Sequence, residues 1–228
     1  MNLAVPPEGE TPAEQHLHRL NIAQHATAQD VLGPGRRAVV WVQGCPFTCA
    51  GCVSPEWIPD RAARLVPPGE LAEEILADET VSGLTFSGGE PMAQADGLAD
   101  LAEQCRQRRD LTLVCFTGYR LERLRGPSAP PGAARLLAQA DVLIDGLYVA
   151  ARDDGRGLRG SDNQRVHHLT GRLAGTGYDF EHRARTAYVR LAGPDLFIVG
   201  VPPQGLVAAV ERAIVPVGGP TVTEGHQR

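Results

Sequence analysis

The sequence predicts an α/β fold built on parallel strands, and three observations carry that prediction. Four short runs, AVVWV (38–42), GLTF (83–86), LTLVCF (111–116) and DVLID (141–145), are nearly continuous in apolar character, as strands buried on both faces are. Each run empties at once into a polar loop: Gln43-Gly44-Cys45, Ser87-Gly88-Gly89-Glu90-Pro91, Thr117-Gly118-Tyr119 and Gly146. The intervening segments have helical spacing, so the order reads β, α, β, α, β, α, β.

Taken in order, residues 1–16 are rich in Pro, Glu and Thr and are expected to form a mobile arm. AVVWV then opens the sheet, and ELAEEILADE (70–79) supplies the first helix. The second runs from Gln94 to Arg108, where Leu98, Leu101, Ala102 and Cys105 follow the i, i+3, i+4, i+7 pattern of a buried helix face. After Val149 the character changes to an Arg- and Gly-rich stretch, ARDDGRGLRGSDNQRVHHLTGR (151–172). TAYVRL (186–191) and DLFIVGV (195–201) are expected to pair as a hairpin around Ala192-Gly193-Pro194. A helix from about Gln204 to Ala213 closes the fold, and GPTVTEGHQR (219–228) reads as a frayed tail. The predicted organisation is an arm (1–16), a core (17–171) and a C-terminal extension (172–228).

Composition bounds the function. A chain of 228 residues with 43% hydrophobic and 21% charged content suits one globular domain, or one domain with an extension. The formal net charge of -5 argues against a protein that holds nucleic acid on a general basic surface. No run approaches the roughly 20 apolar residues of a membrane span. The N-terminus has neither a basic nor an apolar signal region, so a cytoplasmic location is expected, with no membrane and no nucleic acid among the partners.

Three of the five cysteines, Cys45, Cys49 and Cys52, crowd into QGCPFTCAGC. In a reducing compartment such a cluster binds metal or does redox chemistry rather than forming a disulfide framework. A structural zinc needs four closed ligands, and no fourth has a spacing to recommend it: Cys105 sits on an apolar helix face and Cys115 in mid-strand, both read as small core residues. An iron-sulfur cube held by three thiolates instead leaves one iron open, as catalysis requires. Parallel α/β sheets and barrels place ligands at the carboxyl ends of their strands, where these cysteines and the Gly-rich loops converge.

The C-x3-C-x2-C spacing at 45–52, followed after the next strand by Gly88-Gly89-Glu90-Pro91, resembles the radical S-adenosylmethionine superfamily. Four pieces are similar to the activating enzymes of anaerobic ribonucleotide reductase: GPGRRAVVWVQGC (33–45), FSGGEPM (86–92), FTGY (116–119) and LRGSDNQRV (158–166). The resemblance covers roughly residues 20–170 and leaves the extension unmatched. It implies a partial (β/α) barrel of the radical S-adenosylmethionine type, carrying here a short C-terminal β-hairpin and helix extension.

The resemblance also implies one [4Fe-4S] cluster on Cys45, Cys49 and Cys52, whose open iron is chelated by the amino and carboxylate groups of S-adenosylmethionine. It implies that the loop Gly88, Gly89, Glu90, Pro91 offers backbone groups to the amino end. Gly51 stands where the wider superfamily often has an aromatic residue and is expected to line the adenine site through its backbone. Thr117 is a candidate nucleoside contact or an ordinary cap, and Asp145 a ribose contact or a cap of its strand loop. Arg159, Asn163 and Arg165 offer fixed polar groups to a carboxylate or a partner protein. No side chain beyond the cluster ligands is assigned a catalytic role. The implied partners are a glycyl-radical enzyme and a low-potential reductant such as a flavodoxin or ferredoxin. The alternative is radical modification of a peptide or small metabolite, with the extension shaping a pocket.

Overall fold

A computed structural model describes residues 19–192 and 195–214 of the chain. The expected arm at 1–16 and tail at 219–228 lie outside the described residues.

The four predicted strands are present as β2 (Arg36–Val42), β4 (Gly83–Gly88), β5 (Thr112–Thr117) and β6 (Val142–Asp145), and they pair in parallel in that order. Three further strands extend the sheet. β1 (Leu20–Gln29) runs antiparallel to β2, β3 (Arg64–Val66) pairs with β1, and β7 (Arg165–His168) runs antiparallel to β6. The order is β3-β1-β2-β4-β5-β6-β7, an open sheet among the described residues with β3 and β7 outermost.

The first two predicted helices appear as α1 (Pro68–Leu76) and α2 (Ala95–Arg108), and the third interval holds α3 (Leu121–Leu124) and α4 (Ala133–Gln139). Leu71, Ala72, Ile75 and Leu76 of α1 and Leu98, Leu101, Ala102 and Cys105 of α2 bury their apolar stripes in one core. That core lies against the sheet face made by Val40, Val42, Leu84, Phe86, Leu113, Cys115 and Leu143. Cys105 and Cys115 are both fully buried there, in the core role their spacing predicts.

The opposite face presents Val39, Trp41, Val114, Val142 and Ile144, because strand side chains alternate between faces. Among the described residues it is covered in large part by the chain beyond residue 172. Leu173 and Phe180 pack on Val114, Val142 and Ile144, while Phe197 and Val199 pack on Val39 and Trp41. β8 (Ala187–Ala192) and β9 (Asp195–Gly200) pair antiparallel as a separate two-stranded sheet, and α5 (Leu206–Ile214) follows. Between the two apolar patches lies Arg37, fully buried on the same face. Its guanidinium donates to Thr85 Oγ1 at 2.7 Å, to Thr112 Oγ1 at 3.0 Å and to the Leu84 carbonyl. Burial pulls it below the ordinary arginine range to about 9, so it stays charged at neutral pH with hydroxyls and carbonyls as partners.

Candidate functional site

The carboxyl ends of β2, β4, β5 and β6 deliver four loops to one cleft. It is lined by Cys45, Cys49 and Cys52, by Ser87 through Pro91, by Phe116, Thr117 and Gly118, and by Gly146 through Tyr148. Asp145, Arg159, Asn163 and Arg165 lie outside this lining, and so does Gly51. It takes a left-handed backbone (φ 75°) on the rim, and a Cβ there would lie 3.2 Å from Cβ of Ala150.

The cysteine loop is shaped by the segment that follows it, a single 3-10 turn at Pro55–Trp57. Gly44 N donates to Trp57 O (2.9 Å) and Cys45 N to Ile58 O (3.0 Å), closing the loop that carries all three thiols. Cys52 N donates to Cys49 O, turning the last two cysteines tightly together. The next loop docks on the first: Gly89 N donates to Val42 O (2.8 Å) and Glu90 N to Gly44 O (2.9 Å). This contact requires glycine. A Cβ on Gly89 would fall inside the shell of the Gly44 carbonyl oxygen and 2.7 Å from the Gly44 carbonyl carbon, and Gly88 has φ 104°.

Glu90 ties the second loop to the third. One carboxylate oxygen accepts from Met92 N and from Thr117 Oγ1, the other from Gly118 N, all at 2.8 Å. Burial pushes the carboxyl up to about 7, against the downward pull of the three donors. Thr117 Oγ1 also accepts from Tyr119 N at 3.1 Å, a local turn bond within the third loop that does not cap the helix beginning at Leu121. Phe47 of the cysteine loop meets Tyr119 edge-on at 4.8 Å, which joins the first loop to the third.

Asp145 reaches the start of α3 rather than its own strand loop. Its buried carboxylate accepts from Leu121 N at 2.7 Å and from Arg165 at 2.6 and 3.0 Å, with Arg120 Nη1 at 3.2 Å and His167 Nε2 at 3.1 Å. Burial pushes this carboxyl up, but the Arg165 and Leu121 hydrogen bonds and the charges of His167 and Arg165 outweigh it and hold it at about 2. A folded value below the unfolded one gives stability that is full above pH ~4 and lost as pH falls towards 2, on the order of 2 kcal/mol. Asp145→Asn is therefore expected to flatten the acid limb of the stability-pH curve over that range, read by urea unfolding at a series of pH values.

In the polar loop 158–166 the side chains singled out in the sequence are held by partners within the chain. Arg159 pairs with Asp154, Arg165 with Asp145 and Glu122, and Asn163 Nδ2 donates to Leu147 O. Leu158, Gly160 and Gln164 line the cleft instead. Gln164 is fixed there, accepting from Gly160 N (2.7 Å) and donating to Gly146 O (2.7 Å). Leu32, Trp41, Trp57, Gly200 and Val201 also line the cleft. Sequence reasoning passed over these residues because nothing local marks them; they meet only through the sheet.

Residues 31–167 match the family described as a 4Fe-4S single cluster domain. The chain is 31% identical over 161 residues to the anaerobic ribonucleoside-triphosphate reductase-activating protein of Vibrio cholerae, covering 66% of this chain and 99% of that one. The protein of the same name from Enterobacteria phage T4 is 31% identical over 60% of this chain and 86% of its own. A pyruvate formate-lyase-activating enzyme of Clostridium pasteurianum is 33% identical over 38% of this chain and 39% of its own. The chain belongs to the glycyl-radical activases of the radical S-adenosylmethionine type.

The activase's donor set fits an iron-sulfur cluster. Its three thiols are free and share one wall of the cleft. Among the described residues no group of three or more His, Cys, Asp or Glu is set around a single ion. A cube, in which each thiolate takes a different iron, suits donors spread along a loop better than one zinc does. Burial raises the Cys45 thiol to about 11 and raises the Cys49 thiol. No helix of the described residues is long and apolar enough to cross a membrane.

Proposed function

We propose that this activase holds one [4Fe-4S] cluster on Cys45, Cys49 and Cys52, binds S-adenosylmethionine beside it, and installs a glycyl radical on a partner such as an anaerobic ribonucleotide reductase. Given one electron from a low-potential reductant such as a flavodoxin or ferredoxin, the loaded site supplies cleavage of the sulfonium to methionine and a 5'-deoxyadenosyl radical, which takes a hydrogen atom from glycine. The chain's own residues position and shield that chemistry. The backbone of Gly88 and Gly89 would face the amino end of the cofactor, Glu90 and Pro91 would hold that loop in place, and Thr117 and Gly51 would border the nucleoside. The apolar side of the cleft, with Trp41, Trp57 and Phe116, excludes water from the radical. We read the open sheet as the partial (β/α) barrel of this superfamily, residues 17–171 as the core that carries the chemistry, and 172–228 as its extension.

The observation that carries this reading is the docking of the GGEP loop on the cysteine loop through Glu90 N and the Gly44 carbonyl. One cleft thereby receives both motifs. The test is anaerobic reconstitution, assay of methionine and 5'-deoxyadenosine with dithionite, and magnetic resonance of an anaerobic ribonucleotide reductase mixed with the activase. Cofactor cleavage with a glycyl radical signal is expected; absence of cleavage by the iron-loaded protein would overturn the reading.

A second reading, radical modification of a peptide or small metabolite, is favoured by Gly200 and Val201, which enter the cleft from outside the family match. Cleavage with a modified product and no glycyl radical would select it.

A further inference from the structure

We infer that the C-terminal extension builds an apolar subsite at the inner end of the cleft, in which Val201 sets the size of the substrate side chain that sits beside the carbon giving up hydrogen. This rests on the proposed radical chemistry and adds a specificity determinant that the matched region alone does not supply. The 161 residues aligned with the Vibrio cholerae protein use 99% of it but only 66% of this chain, and the family match ends at residue 167.

The lining joins two unlike surfaces. One is made of the thiols and the backbone-rich GGEP and Thr117-Gly118 loops; the other, which we call the inner end, is Leu32, Trp41, Trp57, Phe116, Leu158 and Val201, all but Leu158 belonging to one packed apolar cluster. Among the described residues Glu90 is the one charged side chain in the lining, and its carboxylate is occupied by protein donors. An uncharged, apolar group is what the inner end can desolvate without leaving a polar partner unpaired.

Val201 is backed rather than loose. Phe197, four residues earlier, meets Trp41 edge-on at 5.1 Å and Trp57 at 6.2 Å, and Val199 packs with Leu32 and Val39. The extension also fixes the facing wall. Leu158 N donates to Phe180 O (2.8 Å) and Gly157 N to Arg183 O (2.9 Å). Arg185 donates to Arg159 O (2.9 Å) and pairs with Asp153 (2.9 Å), and Gln204 donates to Asp153 O. Both sides of the inner end therefore depend on residues 173–204, and a side-chain change at Val201 alters the width between two fixed walls.

A truncation near Leu173 would strip the sheet's inner face, so point variants make the better test. The probes are octapeptides with one Cα-dideuterated glycine followed by Ala, Leu or Trp, given to the iron-loaded full chain with S-adenosylmethionine and dithionite. The readout is deuterium in 5'-deoxyadenosine per methionine formed, since the glycine C–D bond breaks as the 5'-carbon gains deuterium. Wild type is expected to prefer one size of neighbour, Val201→Ala to shift preference towards the larger one, and Val201→Trp to lower transfer from the preferred peptide about tenfold relative to cofactor cleavage, the scale of a pocket misfit. Iron content and circular dichroism identify a misfolded Val201→Trp, in which case Val201→Ala alone decides. The same order of peptides in wild type and Val201→Ala would overturn the inference, as would deuterium transfer from none of them by a wild type that cleaves cofactor. A parallel fall of transfer and cleavage in folded Val201→Trp would also overturn it, by giving the inner end to the cofactor. Failure of wild type to cleave S-adenosylmethionine at all would instead remove the proposed function.

Discussion

Replacing any one of Cys45, Cys49 or Cys52 by alanine is expected to leave the protein without a stable cluster and to abolish S-adenosylmethionine cleavage, because two thiolates do not hold a cube. Iron and sulfide analysis after anaerobic reconstitution, with the visible spectrum, measures the first loss; methionine release measures the second. The fold should survive, since the loop is closed by backbone bonds from Gly44 and Cys45 to Trp57 and Ile58 rather than by the thiols. Cys105→Ala and Cys115→Ala should keep iron and activity at a cost of about 1 kcal/mol each, as small losses from a packed core. Loss of iron from a folded Cys105→Ala would show that the ligand set is wrong.

Gly89→Val is expected to lose both cofactor binding and iron. Sequence reasoning alone predicts a narrower effect, a blocked approach to the methionine end with the cluster spared. The packing changes that expectation: the added Cβ meets the Gly44 carbonyl, one residue before Cys45, so the side chain pushes on the cysteine loop itself. Overpacking against backbone costs on the order of 3 kcal/mol, which for a chain of this size lowers Tm by roughly 10 °C. Thermal unfolding, iron content and calorimetric titration with S-adenosylmethionine should all move together. Full iron in Gly89→Val with weakened binding would restore the narrower reading and count against the tight docking of the two loops. Gly89→Ala carries the same Cβ and should show most of the effect.

Much of the site was legible because its chemistry is local in the chain. The three thiols fall within one loop, the GGEP residues are consecutive, and each follows a strand whose continuous apolar character marks it as buried on both faces. The flanks of the sheet were less legible. β1, LNIAQHATAQ, alternates buried and exposed positions, but its inward residues include two alanines and it has no long β-branched run, so it carries little strand signal. β7, RVHH, is four residues inside an Arg-rich stretch and becomes a strand only by pairing with β6. The polar residues of the third and fourth loops show the same limit. Thr117 and Asp145 each had two readings from sequence, and their partners lie 27 and 24 residues away: the Glu90 carboxylate, which accepts from Thr117 Oγ1, and Leu121 N, which donates to Asp145.

The sequence by itself determined the donor chemistry, the strands that carry it and the family to which the chain belongs, because residue type, spacing and apolar periodicity are properties of short segments. Tertiary structure alone decided which polar groups remain free and what closes the inner face of the sheet. Arg159 and Arg165 read as available cations until Asp154, Asp145 and Glu122 were brought to them. Phe197 and Val201 read as an ordinary strand until they were laid against Trp41 and the cleft. Hydrogen bonding and burial are settled between segments far apart in the chain, so a side chain's availability depends on topology that no local pattern encodes.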